Sequence, residues 1–169
     1  MRRALAVVVL VLAACGPGDG APERTFRWTT AAPLPTPRDH LAAAAIDGRV
    51  CAVGGRKLSL LQNLAAFECY DPAADAWQAM PDAPTARGGV GAATIGSRMF
   101  VTGGEQPLGT LKEVDIFDSA TRKWTRGPDL PTSRHGLGVV AVGTTLYVMS
   151  AGPTPGVTQT AVCEALDVR

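Results

Sequence analysis

The chain has 169 residues, the size of one domain. Its 46% hydrophobic and 18% charged residues exclude an extended disordered polymer, and its 19 glycines and 13 prolines are too many breakers for a helical bundle. The formal net charge of +1 gives no electrostatic case for nucleic acid, and no run of 18 apolar residues marks a membrane-spanning helix.

Arg2 and Arg3 precede an unbroken apolar run from Ala4 to Ala14, the length of a signal-peptide core and short for a membrane span. The run ends in Leu12-Ala13-Ala14-Cys15. This resembles the lipobox of bacterial lipoproteins, a branched residue and two small ones before the lipidated cysteine. The resemblance implies a signal peptide over residues 1–14 and a lipid anchor on Cys15. An ordinary secretory signal with a coincident cysteine is the alternative. Residues 15–25 carry Gly, Pro and Asp without an apolar period and read as a flexible tether. Gly16 after the cysteine implies, by the same resemblance, passage to the outer membrane of the cell envelope. Cleavage before Cys15 removes two of the 16 basic residues and leaves 14 against 15 acidic ones.

The remainder, residues 26–169, repeats itself. Asp39–Gly55, Gly88–Gly104 and His135–Ala151 align without a gap. Arg38, Arg87 and Arg134 are spaced by 49 and then 47 residues, and so are Trp28, Trp77 and Trp124. Each row begins with an apolar run rich in small residues (Leu41–Ile46, Val90–Ile95, Leu137–Val142). A turn at Asp47-Gly48, Gly96-Ser97 or Gly143-Thr144 follows, then a second strand (Arg49–Val53, Arg98–Thr102, Thr145–Met149). An acidic-apolar strand comes third (Ala66–Pro72, Glu113–Ser119, Val162–Val168). A tryptophan strand comes fourth (Phe26–Thr29, Trp77–Ala79, Trp124–Arg126). The spacing predicts four-stranded blades with repeats over 38–84, 87–131 and 134–169, and the indoles as packing residues.

Gly54-Gly55, Tyr70-Asp71-Pro72, Trp77 and Arg87 form a pattern that Gly103-Gly104, Phe117-Asp118, Trp124 and Arg134 repeat. The sequence here resembles the kelch family of β-propellers. The third repeat departs from the pattern, with Ser150-Ala151 in place of Gly-Gly and no tryptophan after it. The expected fold is all-β: about three four-stranded antiparallel blades, twelve strands, forming a partial ring or half-propeller. Propellers close with four to eight blades. The sequence therefore reads as a fragment of a longer product, as half of a homodimer completing a six-bladed ring, or as an open arc.

Strand alternation puts the connections from fourth to first strand and from second to third strand on one face. This loop face holds the candidate binding residues Arg38, His40, Arg56, Arg87, Glu105, Arg134 and His135. The recurring arginines have a structural reading, bonding strand-edge carbonyls, and a ligand-binding one. His40 stands where the other rows have Gly89 and Gly136. Glu68, Asp115 and Glu164 recur at one offset, which argues for structure over acid–base chemistry. No C-x-x-C, H-E-x-x-H or G-x-S-x-G motif occurs, so no metal, cofactor or catalytic residue is assigned. Pairing Gly54 with Ala66 would set Cys51 opposite Cys69. A disulfide and two buried thiols are both open there, and Cys163 has no partner. The kelch resemblance implies a non-catalytic module that binds a protein or a glycan. The rival is an enzyme resembling sialic-acid mutarotases, and a third reading is an inactive fragment.

Overall fold

Runs of small and branched residues, cut by glycine turns, become three antiparallel sheets. The computed structural model describes residues 26–169; the expected signal peptide 1–14, Cys15 and the tether 15–25 lie outside the described residues. The first sheet has the order β1 (Ala42–Ile46), β2 (Arg49–Val53), β3 (Phe67–Asp71), β4 (Ala76–Ala79). The second runs β5 (Gly91–Ile95), β6 (Arg98–Thr102), β9 (Val114–Asp118), β10 (Lys123–Arg126). Between β6 and β9 a small hairpin forms from β7 (Glu105–Gln106) and β8 (Gly109–Thr110). The third sheet is β11 (Gly138–Val142), β12 (Thr145–Met149), β13 (Cys163–Asp167).

The first hairpin of each sheet has the same register, with Ile46 facing Arg49, Ile95 facing Arg98 and Val142 facing Thr145. Two-residue loops of this kind need left-handed backbone. Asp47 and Gly48 supply it in the first sheet, Gly96 in the second and Gly143 in the third.

The inner strands β1 and β11 both pack beside β5. The first and second sheets bury Ile46, Val53 and Phe67 against Met99, Val101 and Phe117. The second and third bury Phe100 and Val114 against Leu137, Leu146 and Val148. Each fully buried side chain of this size contributes about 1.5–3 kcal/mol. Phe67 meets Phe117 edge to face at 4.7 Å, and Trp124 closes the cluster at 5.1 Å from Phe67.

The glycine pairs have a specific task. The Gly55 N–H donates to the Arg87 carbonyl and the Gly104 N–H to the Arg134 carbonyl, each at 2.9 Å. A Cβ on the preceding Gly54 or Gly103 would stand 2.8 or 2.6 Å from those carbonyl oxygens. Small size here lets the backbone of one blade approach the next. Ser150 and Ala151 keep the same positive φ, 59° and 105°, without being glycine.

Two expectations are corrected. Phe26–Thr29 forms no strand, so the sheets hold eleven strands rather than twelve and the third sheet has three. Trp28 is 100% exposed instead of packed. A four-residue strand forms only on a partner edge, and an indole whose backbone joins no ladder stays in solvent. The compact unit that carries the sheets spans Ala31–Arg169.

Candidate loop-face binding site

The same register that builds the sheets brings the two kinds of loop together. Asp39 pairs with Arg56, Gly88 with Glu105 and His135 with Gly152, each as an isolated antiparallel bridge. Along the axis the Gly89 N–H donates to the His40 carbonyl at 2.9 Å, and the Gly136 N–H to the Gly89 carbonyl at 2.6 Å. His40, Gly89 and Gly136 all have positive φ (52°, 59° and 69°). The histidine therefore occupies a backbone slot for which the other repeats use glycine.

Four of the seven expected residues assemble in one groove of about 520 Å³, lined also by Asp39, Leu58 and Val157. Arg56 is its hub. Its Nη1 donates to Glu105 Oε1 at 2.8 Å, its Nη2 lies 2.7 Å from His40 Nε2, and its Nε is 3.5 Å from Asp39 Oδ1. A guanidinium only donates, so His40 Nε2 accepts and the neutral ring carries its proton on Nδ1, 3.2 Å from Asp39 Oδ1. His135 places Nε2 3.0 Å from the Thr154 carbonyl and Nδ1 3.5 Å from Glu105 Oε2. Glu105 is buried, and its Oε2 also accepts from the Gly156 N–H at 3.3 Å. Asn63 donates to the Glu105 carbonyl at 2.8 Å. Arg56 and Glu105 are 49 residues apart, so the repeat itself puts opposite charges at one position of neighbouring blades.

The other three expected residues are not available to a ligand. Arg38, Arg87 and Arg134 have buried guanidinium groups. Arg87 donates to the carbonyls of Gly103 and Glu113, both at 3.1 Å, and to Asp115. Arg134 donates to the Val162 and Val148 carbonyls and to Glu164, and Arg38 to the Thr36 and Ala52 carbonyls and to Glu68. Each arginine thus ties its loop to two strands and one recurring acid. Burial pushes the Asp115 carboxyl above its usual range, against the pull of Arg87. It also pushes the Arg87 guanidinium down.

Sequence reasoning passed over the rim. Leu58, Leu108 and Val157 are 96%, 101% and 106% exposed, one on each connection from second to third strand. Leu58 has φ +62° at the centre of a tight turn in which the Ser59 N–H donates to the Lys57 carbonyl at 2.7 Å. The signal was an aliphatic residue inside each polar, variable loop. Among the described residues no three His, Cys, Asp or Glu side chains come together as metal ligands would.

Elsewhere Cys51 and Cys69 face each other across β2 and β3 and are joined as a disulfide, with Cα atoms 4.0 Å apart. Cys163 is a free, exposed thiol.

Radial antiparallel sheets with a polar groove over their inner strands define a β-propeller assembly. The Kelch motif family matches residues 37–84 and 86–131 of the sequence. The chain belongs to the kelch-repeat family, in agreement with the pattern of Gly-Gly, tryptophan and arginine described above. It is 38% identical over 58 residues to an F-box/kelch-repeat protein of Arabidopsis thaliana, covering 34% of this chain and 15% of that one. It is 37% identical over 83 residues to the Kelch-like protein terF of Aspergillus terreus, covering 48% and 18%. A third relative, the F-box protein AFR of Arabidopsis thaliana, is 31% identical over 80 residues, covering 47% and 22%. The chain thus spans less than a quarter of each of these relatives. The solved structure of YjhT superposes with a TM-score of 0.73 at 20% identity, covering 83% of this chain and 53% of that one. That likeness concerns the fold.

Proposed function

We propose that the chain is a non-catalytic module that binds a protein partner through its loop face. The observation that carries this reading is the fully exposed aliphatic residue on each connection from second to third strand, Leu58, Leu108 and Val157, of which Leu58 and Val157 line a groove whose charges satisfy one another. Exposed apolar side chains at the edge of a polar groove are what a protein interface covers. Kelch repeats generally serve protein–protein interaction, which agrees. A glycan fits less well. Sugar rings are commonly held against an aromatic face, and residues 54–66, 103–113 and 150–162 hold no Phe, Tyr or Trp. Arg56 and Glu105 neutralise each other, which also disfavours the acid–base pair that a sugar mutarotase or epimerase needs.

A photo-crosslinking residue at Leu58 or Val157 is expected to capture a defined protein. The same residue at Ser97, in a turn at the other end of the strands, captures none. Equal capture from both positions, or binding to a glycan array alone, overturns the reading.

The proposed setting is the cell envelope of a bacterium, with the chain held by lipid on Cys15 at the outer membrane. The sequence Leu12-Ala13-Ala14-Cys15 supports this, and so does the Cys51–Cys69 disulfide, a bond that persists in oxidising compartments. Cys15→Ala should abolish incorporation of radiolabelled palmitate and move the chain to the soluble fraction. Retained label would end the anchor proposal.

A further inference from the structure

A second cavity, of about 280 Å³, lies between the first and second sheets and shares no lining residue with the loop-face groove. Both bordering sheets are four-stranded, and the β1–β2 hairpin and the β9–β10 turn frame the opening. The floor is apolar. Ile46 and the Cys51–Cys69 disulfide reach it from the first sheet and Phe117 from the second, all buried, and the half-buried Met80 completes it.

The charge on the lining comes from Arg49 and Arg122, one from each sheet. Arg49 donates to Gln78 Oε1 at 3.1 Å. Arg122 donates to the thioether of Met80 at 3.6 Å, a weak acceptor. Among the described residues neither forms an ion pair. The arginines that the fold uses behave otherwise, since Arg38, Arg87 and Arg134 each meet an acid and strand carbonyls. The repeat sharpens the contrast. Arg122 stands at the turn position that Asp75 holds in the first sheet, and both are left-handed, at φ 56° and 48°. Asp75 is satisfied inside the protein by the Tyr70 hydroxyl and the Ala32 N–H. Arg122 has no comparable partner.

We propose that this cavity binds a small organic monocarboxylate, an apolar group that ends in one carboxylate. The carboxylate accepts from Arg49 and Arg122, whose planar donors suit it, and the apolar body lies on Phe117, Met80 and the disulfide. Asp47 is the single acid on the lining, so two guanidinium groups against one carboxylate leave one positive charge in excess. A monoanion balances that excess, whereas a phosphate dianion exceeds it. Ser119 adds no free donor, because its hydroxyl is engaged by the Ser97 carbonyl at 3.0 Å. The volume lies at the lower edge of small-molecule sites, roughly 300–1,000 Å³, which matches a free acid rather than a stretch of peptide. A bound acid touches both sheets, so occupancy stabilises their junction by mass action.

Hydrocinnamate, added to the full chain with isotope-labelled methionine methyl groups, is the probe. It is expected to shift the Met80 methyl resonance saturably and to raise the melting temperature. Its neutral amide should bind more weakly by about tenfold or more, and so should hydrocinnamate to Arg49→Gln or Arg122→Gln. Without ligand both variants should melt as the parent does, since neither arginine is ion-paired. Arg98→Gln, at the repeat position of Arg49 but outside the cavity, should bind as the parent does. An unmoved Met80 methyl, a shift at Met149 in its place, equal affinity for the amide or for inorganic phosphate, or an equal loss in Arg98→Gln overturns the proposal. The loop-face groove contributes none of these residues, so crosslinking from Leu58 tests the protein-binding reading separately.

Discussion

His40 holds a left-handed backbone that its two counterparts reach with glycine, and its ring accepts a hydrogen bond from Arg56. A side chain kept in such a conformation costs about 1 kcal/mol, which marks the position as one where the ring matters more than the fold. His40→Gly should leave the melting temperature unchanged or higher and weaken capture at the loop face. A fall in stability with binding intact would make the ring a structural prop. Ser150 and Ala151 carry the same strain with no groove contact, so Ser150→Gly with Ala151→Gly should raise stability by about 1–2 kcal/mol in denaturant titration. Asp75 offers a residue-scale pH test. Its Oδ1 accepts from the Tyr70 hydroxyl at 2.7 Å and the Ala32 N–H at 2.8 Å, and the first of these chiefly holds the carboxyl below its usual range. A depressed acid contributes stability that is complete above the ordinary aspartate range, about pH 4, and is lost as pH falls through the depressed value. The same bond holds the Tyr70 phenol above its usual range, so the contact persists into alkali. Protection of the Ala32 amide, its exchange rate relative to an unstructured amide at the same pH, should therefore hold at neutral pH and be lost only in strong acid, and Asp75→Asn should remove that acid transition.

At the scale of the elements, the recurring arginines are the fasteners between loop and sheet. Arg87→Ala would leave buried Asp115 with only the partly exposed Arg126, 3.9 Å away, as counter-charge, and the Gly103 and Glu113 carbonyls short of a donor. Breaking a buried pair from one side costs about 3–5 kcal/mol, read as a shift of the denaturation midpoint. Arg87→Met with Asp115→Leu should recover much of it. If Arg87 were a ligand contact, the single change would alter binding and spare stability. The strands themselves were legible. Their lengths and the three hairpin registers follow from period-two apolar runs closed by Asp-Gly, Gly-Ser and Gly-Thr turns, and the structure places β2, β6 and β12 on the predicted residues. The arginines and the acids Glu68, Asp115 and Glu164 were each visible as recurring once per repeat, but not as partners. That pairing depends on a guanidinium reaching inward across two strands, which no local pattern encodes. Of the groove, His40, Arg56, Glu105 and His135 were visible as loop residues. Their convergence was not, because it needs the angle between blades. Trp28 misled because its spacing is that of a strand while its backbone pairs with no strand.

For the whole of the Ala31–Arg169 unit, the pertinent fact is that β5 packs beside both β1 and β11, so the second sheet sits between the first and the third. Stability in such an arrangement is close to a sum of blade terms and nearest-neighbour terms. A change at one junction should then release one blade and spare the far one. Gly103→Ala supplies that change. The position has φ +60°, and its Cβ would meet the Arg134 carbonyl at 2.6 Å and Leu137 at 2.7 Å, both on the third-blade side. Overpacking and left-handed strain together amount to about 2–4 kcal/mol, enough to undock a blade held from one side. Amides of β11 and β12 should lose protection in hydrogen exchange, while those of β2 and β3, on a strand pair tied by the Cys51–Cys69 disulfide, keep theirs. Protection lost evenly across all three sheets would mean that the blades fold as one cooperative body. The nearest-neighbour account would then fail for this molecule.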